Sequence, residues 1–367
     1  MQKVDLLNNI GKIIVFLLVF FSFFLLTVKT QKKLPNRLFS IFLLLIAFDL
    51  SGLFLYEWFL KNLYIEILRI CSSLLQMPLF YLYVLSVCYA DFTLKSKHFL
   101  HSLLFIAFCF IFQNIPVRGD GILLFEIAGE IQYAFYIIAI LLALKKYKKI
   151  YLENYTNADT INYKWLLQMT VIFLTAHLFV VSKMILNLTQ NKDAIILSNI
   201  VVSISALSVT SWLVLKALYQ PQLFRGIEIK LEPVETILQE ENKIHNIEVN
   251  AEISQKIETL KNYMREKEPF LEPALTIQEL ASQIDLPQKE LSVLINHHIG
   301  QHFFDFVNEY RIQKAMKILQ DPTKTAFTVL EILYEVGFNS KSSFNTAFKK
   351  YTNQTPTEFR KRLLSTK

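Results

Sequence analysis

Two stretches, Thr276 to Leu286 (TIQELASQIDL) and Thr328 to Phe338 (TVLEILYEVGF), carry one pattern: Thr, Ile or Val, Glu, Leu or Ile, Ile or Val, and Leu or Phe fall at matching places. Each begins with a capping box. In Thr276-x-x-Glu279 and Thr328-x-x-Glu331 the threonine hydroxyl accepts from a first-turn N–H, while the glutamate reaches back to the cap residue's own N–H. A short helix therefore starts at each threonine. It stops at Asp285 in one copy and Gly337 in the other, residue types that tolerate a left-handed or turn conformation. A second helix is expected after each turn.

The second helices match as well. Leu291, Leu294, Ile295 and His298 have the spacing of Phe344, Ala347, Phe348 and Tyr351, and steps of three and four put each set on one inward face. The outward faces then hold Lys289, Ser292, Val293 and Asn296 in the first copy, and Ser342, Asn345, Thr346 and Lys349 in the second. Neither face is acidic. A single such helix pair reads most simply as part of a soluble bundle with a polar exterior. Two matched copies reverse that preference.

Further residues extend the pattern: Leu280-Ala281, Leu291-Ser292, Asn308-x-x-Arg311-x-x-x-Ala315-x-x-x-Leu319, Gly337-Phe338-x-Ser340-x-x-x-Phe344-x-x-x-Phe348-Lys349-Lys350 and Thr355-Pro356-x-x-x-Arg360. On these residues the last quarter of the chain resembles the DNA-binding domain of the AraC/XylS family of bacterial transcription regulators. The resemblance implies two helix-turn-helix units joined by one long helix, here about Phe303 to Gln320, with both recognition helices in successive major-groove segments. The positions that match the family's base-reading sites are Lys289, Ser292 and Val293 on the first recognition helix and Lys341, Ser342 and Thr346 on the second. Lysine donates to guanine O6 and N7, hydroxyls suit several base edges, and Val293 offers apolar contact to a thymine methyl. Lys349, Lys350, Arg360, Lys361 and Arg362 are expected at phosphates, which supply affinity but no sequence information. The chain departs from the family at Leu333, where Ala281 stands in the first copy, and at Asn353, which replaces the usual glycine after the last recognition helix.

The rest of the chain is of another kind. It is 53% hydrophobic with 31 Phe and only 8 Gly over 367 residues, more apolar material than a water-soluble chain of this length needs. Apolar runs occur at about Ile10 to Val28, Leu38 to Leu60, Leu63 to Tyr89, Phe99 to Pro116, Ile122 to Leu144, Trp165 to Asn187 and Ala194 to Leu218. Each is near or above the roughly 18 to 20 residues that cross hydrocarbon as a helix, so seven spans are expected. A buried helical core is the alternative, and it would need polar faces that these runs lack. The first run exceeds a signal-peptide h-region and no small-x-small site follows it before Lys29, so it is expected to stay as a span.

Loop charge sets the orientation. The loops after spans one, three and five hold eleven basic residues: Lys29, Lys32, Lys33, Arg37, Lys95, Lys97, Lys145, Lys146, Lys148, Lys149 and Lys164. The opposite side holds five: Lys3, Lys12, Lys61, Arg118 and Lys192. Basic loops stay cytoplasmic, which puts the N-terminus outside and the C-terminal domain in the cytoplasm of a multi-pass protein of the bacterial inner membrane.

Cys71, Cys88 and Cys109 lie inside apolar runs without a C-x-x-C pair, which supports no disulfide framework. His297, His298 and His302 have no thiolate nearby to complete a metal site. Gly-rich phosphate loops, G-x-S-x-G and H-E-x-x-H are lacking, so neither an enzyme nor a cofactor is expected. Tyr219 to Asn250, broken by Pro221, Gly226 and Pro233, reads as a linker, and Ile253, Ile257, Leu260 and Met264 then form an apolar stripe expected to dock on the DNA-binding part.

Ionisable residues within spans are costly, so they mark function. Glu57, Glu66, Arg69, Glu126, Glu130 and Lys183 fall in the outer half and Asp49 and His177 near mid-depth, the pattern of a signal-sensing pocket open to the outside. Snorkelling at helix ends or internal ion pairing is the structural alternative. The expected organisation is all-α: a seven-helix transmembrane sensor-like domain over 1–218, a cytoplasmic linker over 219–250, and a double helix-turn-helix domain over 251–367. The expected function is a membrane-integral, one-component transcription regulator. Its partners would be double-stranded DNA, the lipid bilayer, RNA polymerase, a small-molecule or membrane signal, and a second copy of the chain. The alternative is a polytopic transporter or receptor with a regulatory cytoplasmic appendage, which would favour polar residues across the whole bilayer.

Overall fold

A computed structural model describes residues 2–30, 33–89, 92–115, 117, 120–156, 161–188, 192–220, 223, 249–324 and 326–365. Among them the chain is helical throughout, with one isolated antiparallel bridge between Tyr155 and Thr276. Two compact units emerge: residues 1–145 with 161–230, and residues 146–160 with 231–367.

The first unit contains α1 (Gln2–Thr27), α2 (Lys33–Leu50), α3 (Gly52–Lys61), α4 (Leu63–Ser72), α5 (Gln76–Cys88), α6 (Leu103–Asn114), most of α7 (Asp120–Asn154), α8 (Ile161–Leu188) and α9 (Lys192–Tyr219). On α1, Ile14, Leu18, Phe21 and Leu25 are buried while Phe16, Phe20 and Phe23 are exposed. Steps of three and four therefore separate a packing face from an apolar outer face. The packing centre is aromatic. Trp165 Nε1 donates to the Tyr83 hydroxyl at 2.9 Å, Phe39 stacks on Tyr83 at 4.6 Å between centroids, and Trp212 stacks on Trp165 at 5.6 Å. This satisfies the indole N–H in a core where an unpaired donor is costly.

Among the described residues six helical stretches are long and apolar enough to cross a membrane, or seven if one bent pair counts as a span. The second expected span is not one straight helix. α2 and α3 meet at a 69° bend at the Ser51-Gly52 pair; Ser51 Oγ turns back onto the Phe48 carbonyl at 2.6 Å, and Leu55, inside α3, leaves helical geometry at φ −108° and ψ 16°. Arg69 of α4 fills the notch, with its guanidinium against Gly52 and Nη1 donating to the Asp49 carbonyl at 2.9 Å. The helix of the fifth span also outruns expectation. α7 has 35 residues, roughly 52 Å at 1.5 Å per residue, and continues through the basic segment expected to be a loop. The overlooked signal is Tyr147, Ile150 and Tyr151, an apolar stripe among lysines at helical spacing.

The second unit contains the last turns of α7, then α10 (Val249–Lys267), α11 (Ile277–Gln283), α12 (Gln288–Val293), α13 (Phe303–Gln320), α14 (Val329–Glu335), α15 (Lys341–Thr352) and α16 (Pro356–Ser365). The linker expected before α10 lies almost wholly outside the described residues. The stripe on α10 docks as expected: Leu260 and Met264 are fully buried with Leu280, Leu291, Ile295 and Phe303, and Ile253 and Ile257 pack beside them. A second core gathers Ile312, Ala315, Ile332, Leu333, Phe344, Phe348 and Phe359. α13 contributes its first half to one core and its second half to the other.

Candidate nucleic-acid interface

Each copy is fixed by its cap and its turn. Thr276 Oγ1 accepts from Glu279 N at 3.2 Å and Glu279 Oε2 from Thr276 N at 2.8 Å; the corresponding distances at Thr328 and Glu331 are 3.1 and 2.6 Å. The Thr328 N–H holds the Glu331 carboxyl below its usual range. The second turn is a Schellman motif, with Gly337 N also donating to Tyr334 O at 3.1 Å, and the first shares its longer bond. Leu286 N donates to Ala281 O and Phe338 N to Leu333 O, each at 3.0 Å, across a left-handed residue, Asp285 at φ 55° and Gly337 at φ 85°. Such bonds satisfy carbonyls that the helix end leaves open. Leu333, despite its size, is buried at the place of Ala281.

The second copy presents the expected face. Phe344, Ala347 and Phe348 anchor α15 in its core, and Lys341, Ser342, Thr346 and Lys349 are exposed on the other side with Asn345 half-buried beside them. Ser340 caps the helix through Ser343 N at 3.4 Å, and Asn353 ends it at φ 59°, the left-handed conformation expected of asparagine there. Lys350 is differently placed. Its ammonium meets Asp305 Oδ1 at 2.6 Å, while Tyr351 donates its hydroxyl to the Asp305 carbonyl at 2.9 Å. These bonds tie α15 to the start of α13. Arg360 is half-buried on α16, with Lys361 and Arg362 exposed.

The first copy departs from expectation. Lys289 is exposed, yet Ser292 and Val293 are 2% and 5% exposed, so neither is open to a base in this conformation. Asn296 Nδ2 donates to the Ser292 carbonyl at 2.9 Å and lies 3.4 Å from the Glu153 carbonyl, while its Oδ1 accepts from Phe303 N at 3.2 Å. Beyond Val293 the helix widens into a π turn over Leu294–Ile299. Wider winding breaks the four-residue spacing, which is why His298 is exposed rather than inward.

Arg311 joins the two copies. It is 1% exposed, donates from Nε to Phe270 O at 2.6 Å and from Nη2 to Glu272 O at 2.7 Å, and lies 5.5 Å over the Phe338 ring. Burial pushes its guanidinium down to about 10, so it stays charged at neutral pH.

In the first unit the expected sensing residues form two groups. Arg69 meets Glu66 through Nε and Nη2, each at 2.8 Å, and Asp49 Oδ1 through Nη1 at 3.2 Å. His177 Nε2 lies 2.8 Å from Glu130 Oε2, with Tyr133 stacked on the imidazole at 3.5 Å between centroids. Tyr133 escaped the sequence reading because it carries no charge. Glu57 and Glu126 are exposed, and the Lys183 side chain lies outside the described residues.

The family described as "Helix-turn-helix domain" matches residues 280–362, and this C-terminal domain is of the AraC type. The HTH-type transcriptional regulator YdeC of Bacillus subtilis is 32% identical over 87 residues, 24% of this chain and 29% of that protein. The HTH-type transcriptional regulator GlxA of Rhizobium meliloti is 30% identical over 99 residues, 27% of this chain and 30% of that protein. Among solved structures, the C-terminal domain of AraT, a response regulator from Geobacillus stearothermophilus, is 25% identical, covering 29% of this chain and 84% of that one at a TM-score of 0.26. The chain thus spans under a third of the length of these curated relatives.

Proposed function

We propose that this chain is a membrane-integral, one-component transcription regulator: residues 1–218 form a transmembrane sensor, 219–250 a cytoplasmic linker, and 251–367 a DNA-binding domain. The observation that carries the reading is the exposed α15 face, Lys341, Ser342, Thr346 and Lys349, on a capped helix whose other side is locked in a core. Duplex DNA, the inner-membrane bilayer, RNA polymerase and a second copy of the chain are its partners. The full chain in detergent micelles is expected to select a preferred duplex from a random pool, with affinity falling steeply as salt rises. Thr346→Ala or Lys341→Ala should cost about 1 to 3 kcal/mol on that duplex and relax one or two base positions. Lys349→Ala should weaken all sequences alike. A chain with no sequence preference would end this reading.

The reading places the N-terminus outside. Alkaline phosphatase fused after Arg118 or Lys192 should be active, and fused after Lys33, Lys97 or Lys149 inactive. The reverse pattern would leave the DNA-binding domain on the wrong side of the membrane.

The two polar groups are the proposed entry of the signal. A signal shifts a two-state bundle only through its different affinity for the two arrangements, and charges in a low-dielectric site make that difference large. Arg69→Gln and Glu130→Gln should alter the induced output of a transcriptional reporter at matched membrane abundance. Unchanged output in both variants would assign these groups to structure alone.

A further inference from the structure

The first recognition helix is covered by the chain itself. In a helix whose Leu291, Leu294 and Ile295 enter the core, Val293 projects to the opposite side, yet it and Ser292 are buried. Asn296, on that same side, reaches the Glu153 carbonyl at 3.4 Å. The covering segment is anchored on both sides of this point. Ile150, Glu153, Asn154, Tyr155 and Thr156 are all buried, Tyr155 pairs with Thr276 as an antiparallel bridge, and Thr156 Oγ1 donates to the Leu275 carbonyl at 2.9 Å and lies 3.5 Å from Arg311 Nη2. Thr276 caps the first helix of the copy, so the segment grips both the entry to the helix pair and its outward face.

We infer that residues 150–156, the last turn of α7 and the two residues that follow it, and duplex DNA compete for one surface of the first helix-turn-helix unit, so that the unit reads bases only when this segment leaves. Among the described residues nothing covers the outward face of the second copy, where Ser342 and Thr346 are exposed. Half of the interface is therefore open and half is held shut. The helix whose last turn opens this segment, α7, also carries Glu130 and Tyr133. The inference rests on the DNA-binding reading above.

The test uses the full chain in lipid nanodiscs. Thr156→Arg places a long cation where a small hydroxyl is buried and should free the segment. A duplex is selected from a random pool with this variant, and its affinity for the variant and the unmutated chain is compared. The expected result is about tenfold tighter binding by the variant, in the usual range of intramolecular coupling, with protection of DNA extended by one major-groove segment. Equal affinity would overturn the competition while leaving DNA recognition standing. Selection of no duplex by either chain would remove DNA recognition itself, and the competition with it.

A second arm does not depend on how Thr156→Arg folds. With Cys71, Cys88 and Cys109 changed to serine, Tyr155→Cys and Thr276→Cys are introduced together, since bridged residues on neighbouring strands lie within disulfide reach. Oxidation by diamide should link the pair and weaken duplex binding, and dithiothreitol should restore it. Unchanged binding by the linked protein, or a pair that does not link, would each overturn the inference.

Discussion

Replacing Gly337 by alanine is expected to lower the stability of the second unit by about 3 kcal/mol or more, the range of a strained backbone combined with a backbone clash. The glycine is needed twice. Its φ of 85° is unfavourable for any residue with a Cβ, and that Cβ would stand 2.6 Å from the Phe270 carbonyl and 2.7 Å from that of Leu271. These are backbone atoms and cannot step aside cheaply. The Phe270 carbonyl also accepts from Arg311, so the clash propagates into the joint between the copies. Gly300 provides the control, because its φ of 75° is similar but nothing lies within 4 Å of its added Cβ. Gly300→Ala should cost only about 1 kcal/mol, the backbone part alone. Thermal unfolding of the two variants measures the difference, and equal losses would show that the close approach at Gly337 does not matter.

Arg311→Ala is expected to cost about 3 to 5 kcal/mol, because it opens a cavity and strands two buried carbonyl acceptors. The guanidinium fork reaches Phe270 O and Glu272 O together, which a point-like ammonium cannot do in the same geometry. Arg311→Lys should therefore recover only part of the loss. DNA binding should fall in the same order, since the loop from Phe270 to Glu272 would no longer hold the copies together. Denaturant titration decides it: an alanine variant within about 1 kcal/mol of the unmutated protein would mean that water replaces the lost donors.

How far these features can be read in the chain depends on whether their causes are local. The capping boxes at Thr276 and Thr328 and the left-handed positions at Asp285 and Gly337 follow from residues within a few positions of each other, and the structure places them as expected; the long helix over Phe303 to Gln320, which the family resemblance implied, is α13. The bend between α2 and α3 is packed by Arg69 from about twenty residues away in the chain. Its local sign is the Ser51-Gly52 pair. The burial of Ser292 and Val293 is still less local, since Asn296 meets a carbonyl 143 residues earlier. Periodicity put Ser292, Val293 and Asn296 on one side of α12 but could not show that Ser292 and Val293 are buried there. Glu66 and Arg69 pair three residues apart on one helix, while Glu130 and His177 come from different helices and no local spacing brings them together.

The helix shared by the two cores also acts as a ruler and a protractor. α13 is a single run of 18 residues, so adding or removing one residue near its middle would advance the second copy by about 1.5 Å and turn it by about 100°. A turn of that size would point α15 away from the side that α12 faces, and it would part Lys350 and Tyr351 from Asp305 and Gly337 from the Phe270 carbonyl, the contacts that join the copies. Phase and stability would therefore be lost together. An added block of seven residues, close to two full turns, would restore the angle while lengthening the spacing by about 10 Å.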